Sequence, residues 1–182
     1  MEITERIDAA LRRRKTRLNA KRAWLRAARK IVGILLLYTL LAGKLFHLMQ
    51  APDNAMYPAI QAGDLVLSYR LDTSFEEGDV VVYEQQDGKV RLGRIVAVQG
   101  DNVTIDDSGI LMVNGTMQAE TVLFSTYPDE SSGIQYPYTV ASDCCFIMGD
   151  YRTESQDSRT FGAVERSCIQ AKVITVLRRR NI

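Results

Sequence analysis

The chain has 182 residues, is 25% charged and carries a formal net charge of +1. That near-neutral sum hides two opposite segments: residues 1–30 hold eleven Lys/Arg against three acids, and residues 51–182 hold eleven against nineteen. A basic arm and an acidic body flanking one apolar stretch read as a topology, and they argue against a nucleic-acid surface, for which the arm offers Trp24 alone as a stacking partner.

Residues 1–30 contain no Pro or Gly and are rich in Ala, Leu and Arg, so the arm is expected to be helical. The apolar run Ile31 to Met49 follows, with an uninterrupted part from Ile31 to Gly43 and with Lys44 and His47 near its end, where they can snorkel. We read residues 31–49 as a single membrane anchor, with a buried core helix and a cleaved secretory signal as the alternatives. The basic arm then belongs in the cytoplasm, touching anionic lipid, and residues 50–182 lie outside.

The body alternates strand patterns with turn residues: "DLVLSYRL", "DVVVYEQ", "VRLGRIVAV", "NVTID", "GILMVNG" and "IQAKVITVL". Asp107-Ser108-Gly109 and Asn114-Gly115 are hairpin signals, so residues 102–118 are expected to form a small meander. The fold class is mainly β: a partly closed antiparallel barrel preceded by an N-terminal helix and the membrane helix. The polar stretch Ser125 to Pro137 reads as an exposed loop.

Three cysteines, Cys144, Cys145 and Cys168, fall in the body. A bridge from Cys168 to Cys144 or to Cys145 leaves an odd thiol, and the sequence does not choose between them. The only histidine is His47, so zinc is not expected, nor any other metal or cofactor.

Four stretches carry a family resemblance: Asp53-Asn54-Ala55-Met56-Tyr57-Pro58, Gly78 to Tyr83, Gly93 to Asp101, and Gly149 to Gly162. In this order they resemble the type I signal peptidases (S26 type), membrane-anchored β-domain serine proteases with a Ser-Lys dyad. The resemblance places the nucleophile at Ala55 and the base at Gly93, so both halves of the dyad are missing. Lysine serves as a base only when its surroundings depress its pKa, and no such lysine stands here. Asp53 lies where a carboxylate opposes a developing oxyanion, and Gln99 stands where the family has proline. The supporting frame matches: Arg94, Asp150, Ser155 (which orients the lysine in the family), Ser158, and Asp157 with Arg159 as an ion pair.

What the resemblance implies is a catalytically inactive, peptide-binding protein. It is similar to the signal-peptidase-like chaperones of Gram-positive pilus assembly, with pilin subunits, pilus sortase or extended and signal peptides as expected partners. Two alternatives stand beside it: an active signal peptidase using a non-standard dyad, with Ser155 or Lys172 as candidates, and a membrane-tethered structural β module.

Overall fold

The computed structural model describes residues 2–85, 87–118 and 124–178. The chain divides into two compact units, residues 1–44 and 45–182. The first is helix α1 (Glu2–Leu45), whose last residue already belongs to the second unit. From Ile31 to Leu41 large apolar side chains are exposed around the helix, among them Ile31, Ile34, Leu35, Tyr38 and Leu41.

The bounds of the expected anchor, residues 31–49, change here. Among the described residues no helix is long and apolar enough to cross a membrane. The helix stops at Leu45, and Phe46–Gln50 form strand β1, paired antiparallel with β2 (Leu65–Tyr69) from Phe46↔Tyr69 to Gln50↔Leu65. At 1.5 Å per residue, the apolar helical stretch from Ile31 to Leu45 spans roughly 22 Å. His47 therefore sits in a strand, opposite Ser68.

The β unit continues with β3 (Val80–Glu84), β4 (Val90–Val98), β5 (Asn102–Ile105), β6 (Leu111–Val113), β7 (Thr116–Met117), β8 (Tyr138–Thr139) and β9 (Cys144–Met148). The short helix α2 (Ser158–Phe161), β10 (Val164–Glu165) and β11 (Ile169–Leu177) complete it. Seven strands make the main sheet in the order β1-β2-β11-β3-β4-β9-β10, and four make a second sheet, β7-β6-β5-β8. Every pairing among the described residues is antiparallel. The main sheet ends at β1 and β10 without closing, and register shifts at Val173/Thr175, Ile169/Ala171 and Ile95/Ala97 bend it. The mainly β, half-closed architecture expected from the sequence is therefore present.

The run Val80-Val81-Val82-Tyr83 explains why β3 lies inside the sheet. Val81 and Tyr83 pack on one face with Ile95 and Ile147, while Val82 packs on the other with Leu92, Met56 and Ala171. A strand buried on both faces needs such an unbroken apolar run. A third cluster, built on Phe146, Val103 and Val113, joins the two sheets. The expected meander is β5-β6-β7, and Asn114 (φ 52°) and Gly115 (φ 77°) supply the two left-handed positions its tightest turn requires.

Two local expectations change. The stretch Ser125 to Pro137 is not merely an exposed loop, because Thr126 is buried and takes a hydrogen bond from the buried Arg152. No disulfide forms: Cys144, Cys145 and Cys168 are all free thiols. Cys145 is fully buried in the main-sheet core, whereas Cys144 and Cys168 are half-buried.

Candidate functional site

The site is assembled where the loop after β1 meets the segment after β9. Pro58 ends a turn in which Tyr57 N–H donates to Asn54 O (2.9 Å) and Ile60 N–H to Met56 O (2.8 Å). Met56 is the plug of this turn, 1% exposed among Val66, Val82 and Leu92. The Asn54 side chain accepts from Ala62 N–H at 2.8 Å and closes the loop on itself. Beyond it, Arg178 donates to the carbonyls of Pro58 (3.3 Å) and Ala59 (2.9 Å) and pairs with Asp64 (3.3 Å).

Ala55 is held from both sides. Its carbonyl accepts from Tyr151 N–H (2.9 Å) and from Ser155 Oγ (3.1 Å). Ser155 Oγ also lies 2.7 Å from Tyr151 O, so its single proton is shared between two carbonyls and ties the two loops together. The Ala55 N–H donates to Asp53 Oδ1 at 3.0 Å. A backbone donor beside a nucleophile position is what an oxyanion would use. Here that donor already has a carboxylate on it.

Gly149 permits this contact. A Cβ at 149 would stand 2.6 Å from Ala55 O and 2.6 Å from Ser155 Cβ, and closer still to Ser155 Oγ, so only glycine lets the loops approach.

Gly93, on β4 opposite Val81, is enclosed in the same way. A Cβ there would collide with Ile147 Cγ2 and come within 3.1 Å of Tyr83 Cε1 and 3.4 Å of Met148 O. Ile147 is fully buried and its Cγ2 sits directly on the branched Cβ, so it cannot swing aside. The two residues at the expected dyad positions thus abut one short segment, Gly93 at Met148 and Ala55 at Gly149. Burial, then the nearby Asp157 carboxylate, pushes the Tyr83 phenol well above the usual tyrosine range, with Asp53 adding to it. Tyr83 is therefore a neutral hydroxyl at physiological pH and no base.

The frame residues converge around Gly149. Asp157 caps α2 and pairs with Arg159 (2.9 Å), and its Oδ2 accepts from Gly149 N–H at 3.1 Å. Ser158 Oγ accepts from Ile147 N–H at 2.9 Å. Arg94 forks onto Asp150 at 2.8 and 2.7 Å and also reaches Gly78 O.

Arg152, which sequence reasoning did not single out, is 2% exposed. Its guanidinium reaches Gly149 O (2.9 Å) and Thr126 Oγ1, and its carbonyl accepts from Arg159 Nη2 at 2.6 Å. The signal was available in "GDYRTES", where a lone Arg stands amid small and polar residues.

A pocket of about 490 Å³ opens beside Ala55, lined by Asp53, Arg91, Tyr151, Glu154 and Gln156 among others. Its walls are polar and charged. Next to it, the Val90–Gly93 half of β4 is paired with β3 only, because β9 begins its ladder at Arg94. That half-strand keeps one backbone edge without a strand partner among the described residues.

Both body lysines are paired with carboxylates. Lys89 is exposed in a turn, 3.3 Å from Asp87. Lys172 is nearer than its position in the chain implies: it pairs with Val81, which pairs with Gly93, so it stands two strands across, roughly 10 Å. Its ammonium is held by Asp79 at 2.7 Å, and that hydrogen bond raises its pKa above the ordinary lysine value. It stays protonated at neutral pH.

Residues 24–177 match the family described as signal peptidase, peptidase S26. The chain belongs to the S26 signal peptidase family. It is 32% identical over 123 residues to a probable thylakoidal processing peptidase 2 of Arabidopsis thaliana, covering 61% of this chain and 32% of that protein. It is 26% identical over 151 residues to the signal peptidase I of Bacillus licheniformis, covering 78% and 81%. A crystal structure of a signal peptidase I from Enterococcus faecalis V583 aligns with 56% of this chain and 97% of that one, at 22% identity and a TM-score of 0.45. The matched part spans about a third of the thylakoidal relatives' length.

Two measurements probe how this S26 site is built. Gly93→Ala is expected to destabilise the β unit by about 1–3 kcal/mol through overpacking against Ile147, read as a lower urea midpoint at unchanged m-value. Arg159→Met leaves the buried Asp157 carboxylate with backbone donors alone. It is expected to cost about 3–5 kcal/mol in the same assay, and a loss under 1 kcal/mol would contradict the frame described above.

Proposed function

We propose that this chain is a non-catalytic member of its family that binds an extended peptide beside Ala55 and does not cut it. The observation that carries the reading is the Asp53 carboxylate on the Ala55 N–H, next to a residue with no nucleophile. It is supported by the sealed surroundings of Gly93, which leave no room for a side chain there. Binding needs only the open backbone edge at Val90–Gly93 and the neighbouring pocket, because strand addition uses main-chain hydrogen bonds for affinity and side-chain pockets for selectivity. The client class is an exported precursor in extended form. Within it, pilin subunits presented to a pilus sortase are the partners we put forward, the protein acting as an assembly chaperone.

Membrane attachment belongs to the same proposal. The helix from Ile31 to Leu41 is apolar on all sides, and such a helix is not the surface of a globular unit. Arg26, Arg29 and Lys30 precede it and suit anionic headgroups. The charge asymmetry of the chain favours a single-pass arrangement, with the basic arm cytoplasmic and the acidic β unit outside.

The proposal is tested with purified full-length protein in detergent. A fluorescently labelled pilin-precursor peptide is expected to bind, to remain intact, and to bind at least tenfold more weakly to Ala55→Trp. The double variant Ala55→Ser/Gly93→Lys is expected to cleave nothing, since Ile147 excludes the lysine and Asp53 still covers the donor. Cleavage by the natural chain, abolished in Ser155→Ala or Lys172→Met, would establish an active enzyme instead. Equal binding by Ala55→Trp would leave the cleft vestigial and the β unit structural. Separately, the chain should sediment with anionic phospholipid vesicles, and Leu36→Lys/Leu40→Lys should remain in the supernatant.

A further inference from the structure

We propose that the pocket beside Ala55 selects a cationic side chain, lysine or arginine, in the extended segment it binds, with Asp53 and Glu154 as the selecting carboxylates. The inference rests on the peptide-binding reading above and names the side chain which that reading leaves open. One residue links the pocket to the strand edge. Arg91 lines the pocket and also lies in Val90–Gly93, the half of β4 with an open backbone edge. A segment added to that edge turns every second side chain toward the face of Arg91, so one of them is delivered to the pocket.

The charges waiting there are not balanced among themselves. Asp53 uses Oδ1 to accept from the Ala55 N–H at 3.0 Å, and its Oδ2 has no partner among the described residues. Glu154 donates its backbone N–H to Tyr151 O, but its exposed carboxylate takes no hydrogen bond or ion pair among the described residues. Arg91, the one cation among the described residues of the lining, is already engaged. Its Nε donates to Gln85 Oε1 at 2.5 Å, and its Nη2 lies 3.5 Å from Gln156 Oε1 and 3.7 Å from Asp87 Oδ2. Two carboxylates with unused oxygens therefore face the incoming side chain. An acidic residue would bring a third negative charge beside them, and a small apolar one would gain nothing from either.

The aromatic wall suits the same ligand. Tyr151 lines the pocket, and its ring is stacked on Phe124, with centroids 4.5 Å apart and planes 21° apart, and tilted against Tyr57 at 5.8 Å. Lysine and arginine carry their charge at the end of a long apolar stem. The stem packs against a ring held in this way while the head reaches a carboxylate, and a cation near an aromatic ring is attracted to it as well. A volume of about 490 Å³ leaves room for a side chain of that length.

The test offers purified full-length protein in detergent a positional library of fluorescent peptides, each fixing Lys, Arg, Ala or Glu at one position in a degenerate background. At one position, Lys and Arg peptides are expected to bind about tenfold more tightly than Ala peptides, and Glu peptides more weakly still. Glu154→Gln and Asp53→Asn should each shrink that preference and together abolish it, because both keep the size and lose the charge. Asp107→Asn, which removes a like charge from the β5–β6 turn, should leave it intact. A preference that survives the double variant, or falls equally in Asp107→Asn, would be general attraction to an acidic surface and would overturn the inference. Binding that Ala55→Trp weakens but that does not discriminate among the four residues would overturn it too, with the peptide-binding reading left standing. Binding to none of the peptides would remove that reading and this inference with it.

Discussion

The Asp157 carboxylate accepts four hydrogen bonds: from the backbone N–H groups of Gly149 and Arg159, and two from the Arg159 guanidinium. At 1% exposure it has no water to fall back on, so its charge is tolerable only while all four donors stay in place. The same guanidinium passes on to Arg152 O and Tyr127 O, and Arg152 in turn holds Gly149 O and Thr126. Two segments, the loop from β9 to α2 and the stretch before β8, are therefore positioned by one ion pair and its hydrogen bonds. Gly149 stands at their centre, and the loop after β1 is hung on it through Ala55 and Ser155.

This explains how the segments around positions 55 and 93, which carry nothing larger than a methyl group, are still well ordered. Nothing in the scaffold of Asp157, Arg159, Arg152 and Ser158 depends on a side chain at 55 or 93. The space next to Gly93 is taken by Ile147 and Tyr83, so the interior stays dense where a longer side chain would have lain. On the other side, Asp53 gives the Ala55 N–H an internal partner, and a backbone donor with a partner carries no desolvation penalty.

Much of the β unit was legible in the sequence because its strands announce themselves by turn chemistry. The Asn114-Gly115 and Asp107-Ser108-Gly109 turns and the apolar runs of β2, β3, β4 and β11 needed no tertiary context. Other elements did. "FHLM" is apolar in a helix, a membrane or a strand, and only pairing with β2 decides for the strand. "CCFIM" is buried from Cys145 onward and shows no alternation, so β9 escaped notice as a strand although it delivers Gly149 to the site. At the site, family-like spacing located Ala55, Gly93, Ser155 and Asp157. Tyr83 and Ile147 remained invisible because their importance is volumetric: both fill the space beside Gly93, Ile147 from far along the chain, which no local pattern encodes.

The position of β11 bears on how the molecule is made. β11, the last of the described strands, lies between β2 and β3, with partners from Leu65 to Tyr69 on one side and Val81 to Tyr83 on the other. During synthesis, β1 and β2 can pair with each other, and β3 with β4, but these two groups have no common sheet until Leu177 has emerged. The β unit consequently completes its main sheet only once β11 has been made rather than growing strand by strand, and the slow step is the long-range insertion of one strand between two waiting edges. If the unit is moved across a membrane during synthesis, it passes through as an unfinished sheet and becomes a folded cleft only on arrival.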